Sequence, residues 1–184
     1  MALNDNAVLA IDSGNYFTAP VDTAVPLDLA AVATPWENVG HTSLEDILSI
    51  ESEGGEATVL GTLQNKSLRT RRSQRTETIR FTLQQWDTDS LKLYYGSNAE
   101  VLANGMVTNP TNPTPTVCAF LAVYVDGDNI FALHIPKCEI LRAEDISFED
   151  TENIAGLPLG VTPLQSGANA YTYAVTPLGE VAGP

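Results

Sequence analysis

Residues 117–125 and 130–141 are apolar at both odd and even positions, and Asp126-Gly127-Asp128-Asn129 joins them. Gly, Asn and Asp tolerate positive φ, so the connection reads as the turn of a β-hairpin. A strand with one greasy face can float on a core, whereas strands greasy on both faces must be covered on both. The cover is a second sheet layer, a helix, or another subunit. The chain has 184 residues, enough for one domain that buries roughly 70% of its unfolded surface.

The rest of the chain is punctuated for β structure. Residues 7–12 and 16–19 read as two strands with Ser13-Gly14-Asn15 as the turn between them, and Pro20, Pro26 and Pro35 keep residues 21–34 irregular. Residues 48–53 and 56–63 read as a half-buried hairpin about Gly54-Gly55, because Ala57, Val59, Gly61 and Leu63 alternate with polar neighbours. Residues 76–84 alternate again, with Ile79, Phe81 and Leu83 on one face and Thr78, Arg80 and Thr82 on the other. Asp87 or Thr88 predicts the N-cap of a short helix carrying Leu91, Tyr94 and Tyr95, stopped at Gly96. Residues 171–175 suggest a last strand. About seven to nine strands and a single helix predict a mainly-β, two-sheet β-sandwich or distorted barrel with one short flanking α-helix.

Charge is strongly segregated. The net charge is -14, yet Lys66, Arg69, Arg71, Arg72, Arg75 and Arg80 are six of the nine cations and share their segment with a single acid, Glu77. That segment carries +5, and the remainder, with 3 bases and 22 acids, carries -19. Nucleic-acid binding draws on Lys and Arg, so the molecule as a whole is no nucleic-acid clamp, and the segment has no interleaved aromatics for stacking bases. A cationic connection on an anionic body instead suits docking onto another copy, where Arg forks clamp carboxylates. No apolar run reaches membrane-spanning length and no basic-then-apolar leader opens the chain, which predicts a soluble protein not exported by that route. Two cysteines, too few for a disulfide scaffold and without zinc spacing, suit a reducing cytosol.

The tools of catalysis are missing. His41 and His134 are far apart, and His134 lies in an apolar strand without a Gly-x-Ser-x-Gly partner, so it reads as a core or interface histidine. Cys118 and Cys138 fall opposite each other if the hairpin loop has three residues and on opposite faces if it has two or four; either way they read as small buried thiols. Asp87-Thr88-Asp89 and Asp126-Gly127-Asp128-Asn129 lack the Glu that completes a calcium loop. Glu45-Asp46, Glu144-Asp145 and Glu149-Asp150 are carboxylate pairs of the kind sugar hydrolysis needs, but such neighbours arise anyway among 23 acids. No cofactor or metal site is expected. The competing reading is a soluble binding module or small carbohydrate-active enzyme on a β-sandwich, using acidic loops.

The order of features resembles a known family. The stretch Trp36-Glu37-Asn38-Val39-Gly40-His41-Thr42-Ser43, the Gly54-Gly55 hairpin, the exposed loop ending near Arg75, the strand-helix unit from Thr76 to Gly96 and the apolar hairpin together look like the major tail (tail tube) proteins of siphovirus-type, long-tailed bacteriophages. The likeness spans roughly residues 5 to 150 and is nearest to versions from phages of actinobacteria. It implies a tail tube domain over 1–155, including an N-terminal arm over 1–46, with 156–184 as a Gly/Pro-rich C-terminal strand or extension packing on the domain or on neighbouring subunits. It further implies a virion protein without catalysis, assembled in the host bacterial cytoplasm into hexameric rings stacked around a tape measure protein. Further partners would be the tail terminator and distal tail or baseplate proteins, with DNA as a transient passenger and no membrane. By the same resemblance Lys66, Arg69, Arg71, Arg72 and Arg75 belong to the inter-ring loop. Phe120, Tyr124, Phe131 and Ile135 of the apolar hairpin belong to the core or an interface. The bore is acidic, with no particular acids assigned to it.

Overall fold

The computed structural model describes residues 3–4, 7–148 and 153–178. Its backbone is the apolar hairpin, β7 (Thr116–Asp126) and β8 (Asn129–Arg142). β1 (Ser13–Ala19) pairs along the outer edge of β7, and β9 (Leu157–Pro163) pairs with the far end of β8. β6 (Arg75–Leu83) follows β9, and β3 (Ser49–Gly54) follows β6, all antiparallel. The short β10 (Ala174–Val175) pairs with β8 at His134 and Leu133. This sheet curls until its ends meet. β2 (Glu37–Asn38) pairs with β1, and a few residues later Thr42 bridges Leu83 of β6, with Ser43 N donating to Thr82 O at 2.8 Å. The result is a β-sandwich closed along one edge like a barrel.

The main core lies inside that curl. Tyr16, Ile79, Phe81, Phe120, Tyr124, Ile135, Leu157, Leu159 and Val161 form its buried cluster, with the Tyr16 ring edge-on to Phe81 at 5.0 Å. Tyr124 donates to the Tyr16 hydroxyl at 3.0 Å, and Tyr16 donates to Ile47 O. Burial pushes the Tyr16 phenol up to about 12 and the Tyr124 phenol higher still. The other face of the hairpin has its own cover. Ala119, Leu121, Val123 and Ala132 pack under Leu29 and Trp36, which sit on the irregular strap of residues 20–36. His134 faces the same strap: its Nε2 donates to Thr23 O at 3.1 Å and its ring lies edge-on to Trp36. Both greasy faces are therefore enclosed by the chain itself, and no second subunit is needed to cover them.

The helix α1 (Thr88–Tyr95) packs on β8 and β9. Asp87 is its N-cap, accepting from Ser90 N at 2.8 Å, and Gly96 ends it with positive φ. Tyr94 donates to Glu144 O at 2.6 Å and pins the helix to the sheet.

Four expectations change. The two N-terminal strands with a turn at Ser13-Gly14-Asn15 are one strand: β7 supplies pairing partners only as far as Val125 opposite Ser13, so residues 7–12 have no ladder to join. Gly14 serves packing there, since a Cβ would stand 2.7 Å from the Tyr124 ring. Gly54-Gly55 does not reverse the chain, as shown below. The β7–β8 turn has two residues, Asp126 pairing Asn129, yet Cys118 still faces Cys138, because a bulge between Cys118 and Phe120 shifts the register by one. Residues 157–163, read as Gly- and Pro-punctuated, form a strand inserted between β8 and β6 with Leu157, Leu159 and Val161 buried.

Candidate inter-subunit surface

β3 and β6 pair with Ser49 opposite Arg80 and Gly54 opposite Arg75. Beyond them β4 (Ala57–Leu60) and β5 (Arg69–Arg72) pair with Ala57 opposite Arg72 and Leu60 opposite Arg69. Both ladders keep one register, so they form a single ribbon with its outward limb at 49–60 and its return limb at 69–80. Between the ladders Gly54 and Gly55 both have positive φ, and a Cβ on Gly54 would stand 2.3 Å from Gln74 O. The glycines kink the outgoing strand past its partner, while Ser73 N donates to Glu56 O and Glu56 N to Ser73 Oγ across the kink. The reversal comes at 61–68, where Thr62 N donates to Asn65 O at 2.7 Å and Asn65 N to Thr62 Oγ1 at 3.1 Å. β-branched Thr58, Val59 and Thr70 favour the extended limbs.

The ribbon leaves the body of the protein. Every residue of β3, β4 and β5 is exposed, so the predicted half-buried hairpin has no core beneath either face. Its alternating Val59 is 54% exposed, and Leu63 and Leu68 at the tip are 90% and 58% exposed. Eleven steps from Ser49 to Leu60, at about 3.3 Å each, give a limb of roughly 36 Å.

Chemically the ribbon has two ends. Lys66, Arg69, Arg71 and Arg72 lie on the distal part, with Ala57, Thr58 and Leu60 opposite the strand arginines, Val59 opposite Thr70, and no acid among them. Arg75 stands at the kink, over Gly55. None of these five cations makes an ion pair with a described residue. Arg80, at the base, makes two: Nε to Glu51 at 3.1 Å and Nη1 to Glu144 at 2.9 Å. Arginine keeps its charge at any relevant pH, so the outer ribbon is a fixed cationic rod on an anionic body.

The other singled-out residues have structural roles. Phe120, Tyr124 and Ile135 are buried in the main core, and Phe131 is half-buried, stacked on Tyr124. Cys118 and Cys138 are free buried thiols, with Cys138 donating to Cys118 O; the side-chain hydrogen bond with Cys118, and after it burial, push the Cys138 thiol up. Burial holds His134 below its ordinary pKa. Glu149-Asp150 lie outside the described residues. Among the described residues no group of His, Cys, Asp or Glu could hold a metal, and no helix is long and apolar enough to cross a membrane.

The chain is thus a curled β-sandwich with one flanking helix and a long exposed cationic ribbon, a structural subunit with an unpaired surface, and sequence comparison gives its family. The family model described as phage tail tube protein matches residues 1–176, and the chain belongs to that family. It is similar to the major tail protein Gp23 of Mycobacterium phage D29 and to that of Mycobacterium phage L5. Each is 34% identical over 179 residues, 89% of this chain and 88% of the relative. The protein is thus a structural, non-enzymatic component of the virion tail of a siphovirus-type phage, assembling with itself and with other tail proteins. The family match runs through β9 and β10, well past the residue 150 at which the resemblance in the sequence fades.

Proposed function

We propose that this chain closes into hexameric rings that stack, around a tape measure protein, into a tail tube through which double-stranded DNA later passes. Assembly takes place in the host bacterial cytoplasm, with the tail terminator and the distal tail or baseplate proteins at the two ends. The ribbon bearing Lys66, Arg69, Arg71, Arg72 and Arg75 reaches a neighbouring ring. The observation that carries this reading is the ribbon itself, its outer strands exposed along their whole length and its outer cations without an ion-pair partner among the described residues. A lateral head-to-tail contact that closes makes a ring, and an axial one that does not close makes a filament, so one chain needs two distinct contacts. The acidic remainder suits a conduit, because a like-charged wall repels phosphate instead of holding it.

Negative-stain and cryo-electron microscopy of assembled tails test the proposal. Sixfold rings stacked around a central bore are expected. A different ring order overturns the hexamer, and an assembly without a bore overturns the conduit. Replacing Arg69, Arg71, Arg72 and Arg75 together by Ser should leave the domain folded and impair stacking; unchanged tubes remove the ribbon from the mechanism. Raising the salt concentration should weaken stacking in the same direction, because exposed charge contacts are screened.

A further inference from the structure

At the foot of the ribbon the body carries a groove of about 900 Å³, lined by described residues of the stretches 43–51, 80–84, 143–148 and 153–159. Among the described residues its acids are Glu45, Asp46, Glu51, Glu144 and Asp145, and the one cation on its wall, Arg80, is already held by Glu51 and Glu144. Glu45, Asp46 and Asp145 make no ion pair with a described residue. The wall is greasy as well as acidic: Leu44, Phe148 and Ile154 line it and are exposed. Carboxylates beside open apolar surface suit an occupant that brings cations and hydrophobic side chains together. The outer ribbon is such an object, with Arg69, Arg71, Arg72 and Lys66 beside Val59, Leu63 and Leu68.

A chain's own ribbon does not fill its own groove. No residue between Glu51 and Arg80 lines it, and the tip stands off by a limb of roughly 36 Å. We infer that the groove beside Glu45, Asp46 and Asp145 receives the ribbon tip of a second copy of this chain. This rests on the reading of the ribbon as the contact between rings and names the surface it meets. Donor and acceptor sit at opposite ends of one ribbon, so the contact is heterologous and leaves a fresh tip and a fresh groove on every added copy. Repetition then displaces successive copies by about one ribbon length and does not close. The same arrangement explains why Arg80 is paired inside its own chain: an unpaired cation on the groove wall would repel the incoming arginines.

Charge exchange tests the inference in tails assembled in host cells that make the other tail proteins. Reversing the tip (Arg69→Glu, Arg71→Glu, Arg72→Glu) is expected to abolish tubes, and so is reversing the groove (Glu45→Arg, Asp46→Arg, Asp145→Arg). Combining both sets in one chain should restore them. All six positions lie at the surface, and circular dichroism of each purified variant checks that it is folded. Independently, Arg71→Cys with Asp145→Cys should give, on oxidation of assembled tails, a ladder of covalent multimers that either single variant lacks. Loss of tubes on tip reversal, with intact tubes on groove reversal and no ladder, would overturn the groove while leaving the inter-ring ribbon standing. Intact tubes on tip reversal would overturn both.

Discussion

The β7–β8 hairpin and the outer ribbon of β4 and β5 are made from the same kind of antiparallel ladder, yet the first has both faces covered and the second has neither. In the hairpin, Phe120 and its cross-strand neighbour Ile135 pack into the main core while Leu121 and Ala132 pack under the strap on the other face, so the ladder is held by burial of apolar surface. In the ribbon, Val59 opposite Thr70 and Leu60 opposite Arg69 are exposed, and backbone hydrogen bonds with a tight tip are what define the shape. An isolated two-stranded ribbon is marginal in water. The difference separates two tasks: one hairpin makes the subunit, and the other is shaped to be finished by something outside it.

Substitutions can break that contrast. The largest effect is expected inside the hairpin, where Phe120→Ala should cost about 3–5 kcal/mol in denaturant unfolding because it opens a cavity in a close-packed core. Acid comes next. Burial lowers the His134 pKa, so on acidification the unfolded chain takes up its proton first. The contribution of the neutral ring is complete above the ordinary imidazole pKa and falls away as pH drops through it. Urea midpoints measured across this range should fall more steeply for the wild type than for His134→Gln.

A smaller loss, about 1 kcal/mol, is expected for Asp87→Ala, which removes the cap that accepts from Ser90 N. The backbone hydrogen bond from Ser90, followed by the one from the Gln85 side chain, lowers the Asp87 pKa. Its contribution is therefore present above the ordinary carboxylate range and lost as pH falls through the lowered value, and chemical unfolding of the two proteins should converge in acid. The smallest effect on stability belongs to the ribbon: Arg69, Arg71, Arg72 and Arg75 to Ser should each shift unfolding by no more than about 0.5 kcal/mol. A large loss there would mean that the ribbon supports its own subunit, and the contrast would fail.

What could be read from the sequence follows from how local each signal is. The β7–β8 hairpin, the alternation of Ile79, Phe81 and Leu83, and the helix between Asp87 and Gly96 are written in neighbouring residues, and the structure has them. Gly54-Gly55 was ambiguous physically, because two positive-φ glycines serve a reversal and a kink equally well. The choice is made by return-strand residues some 20 positions later, at Gln74 and Arg75. β9 was hidden because Pro158 and Gly160 occupy the positions between its buried Leu157, Leu159 and Val161 and Pro163 ends it, masking a period-2 pattern with residues that usually interrupt strands. The Cys118–Cys138 pairing depended on a bulge that no turn signal announces. The cationic residues of the ribbon stood out from charge counting alone. The groove did not, since it gathers acids from stretches about 100 residues apart that become one surface only when β6 and the segment after β8 lie side by side.

The most direct test of the unfinished ribbon is amide hydrogen exchange over residues 57–72, compared between the unassembled chain and intact tails, with β7 and β8 as the internal reference. Fast exchange in the unassembled chain and strong protection in tails, against slow exchange of β7 and β8 in both, is the predicted result. A ribbon that exchanges equally fast in assembled tails, or one already as protected as β7 and β8 in the lone subunit, would contradict the account.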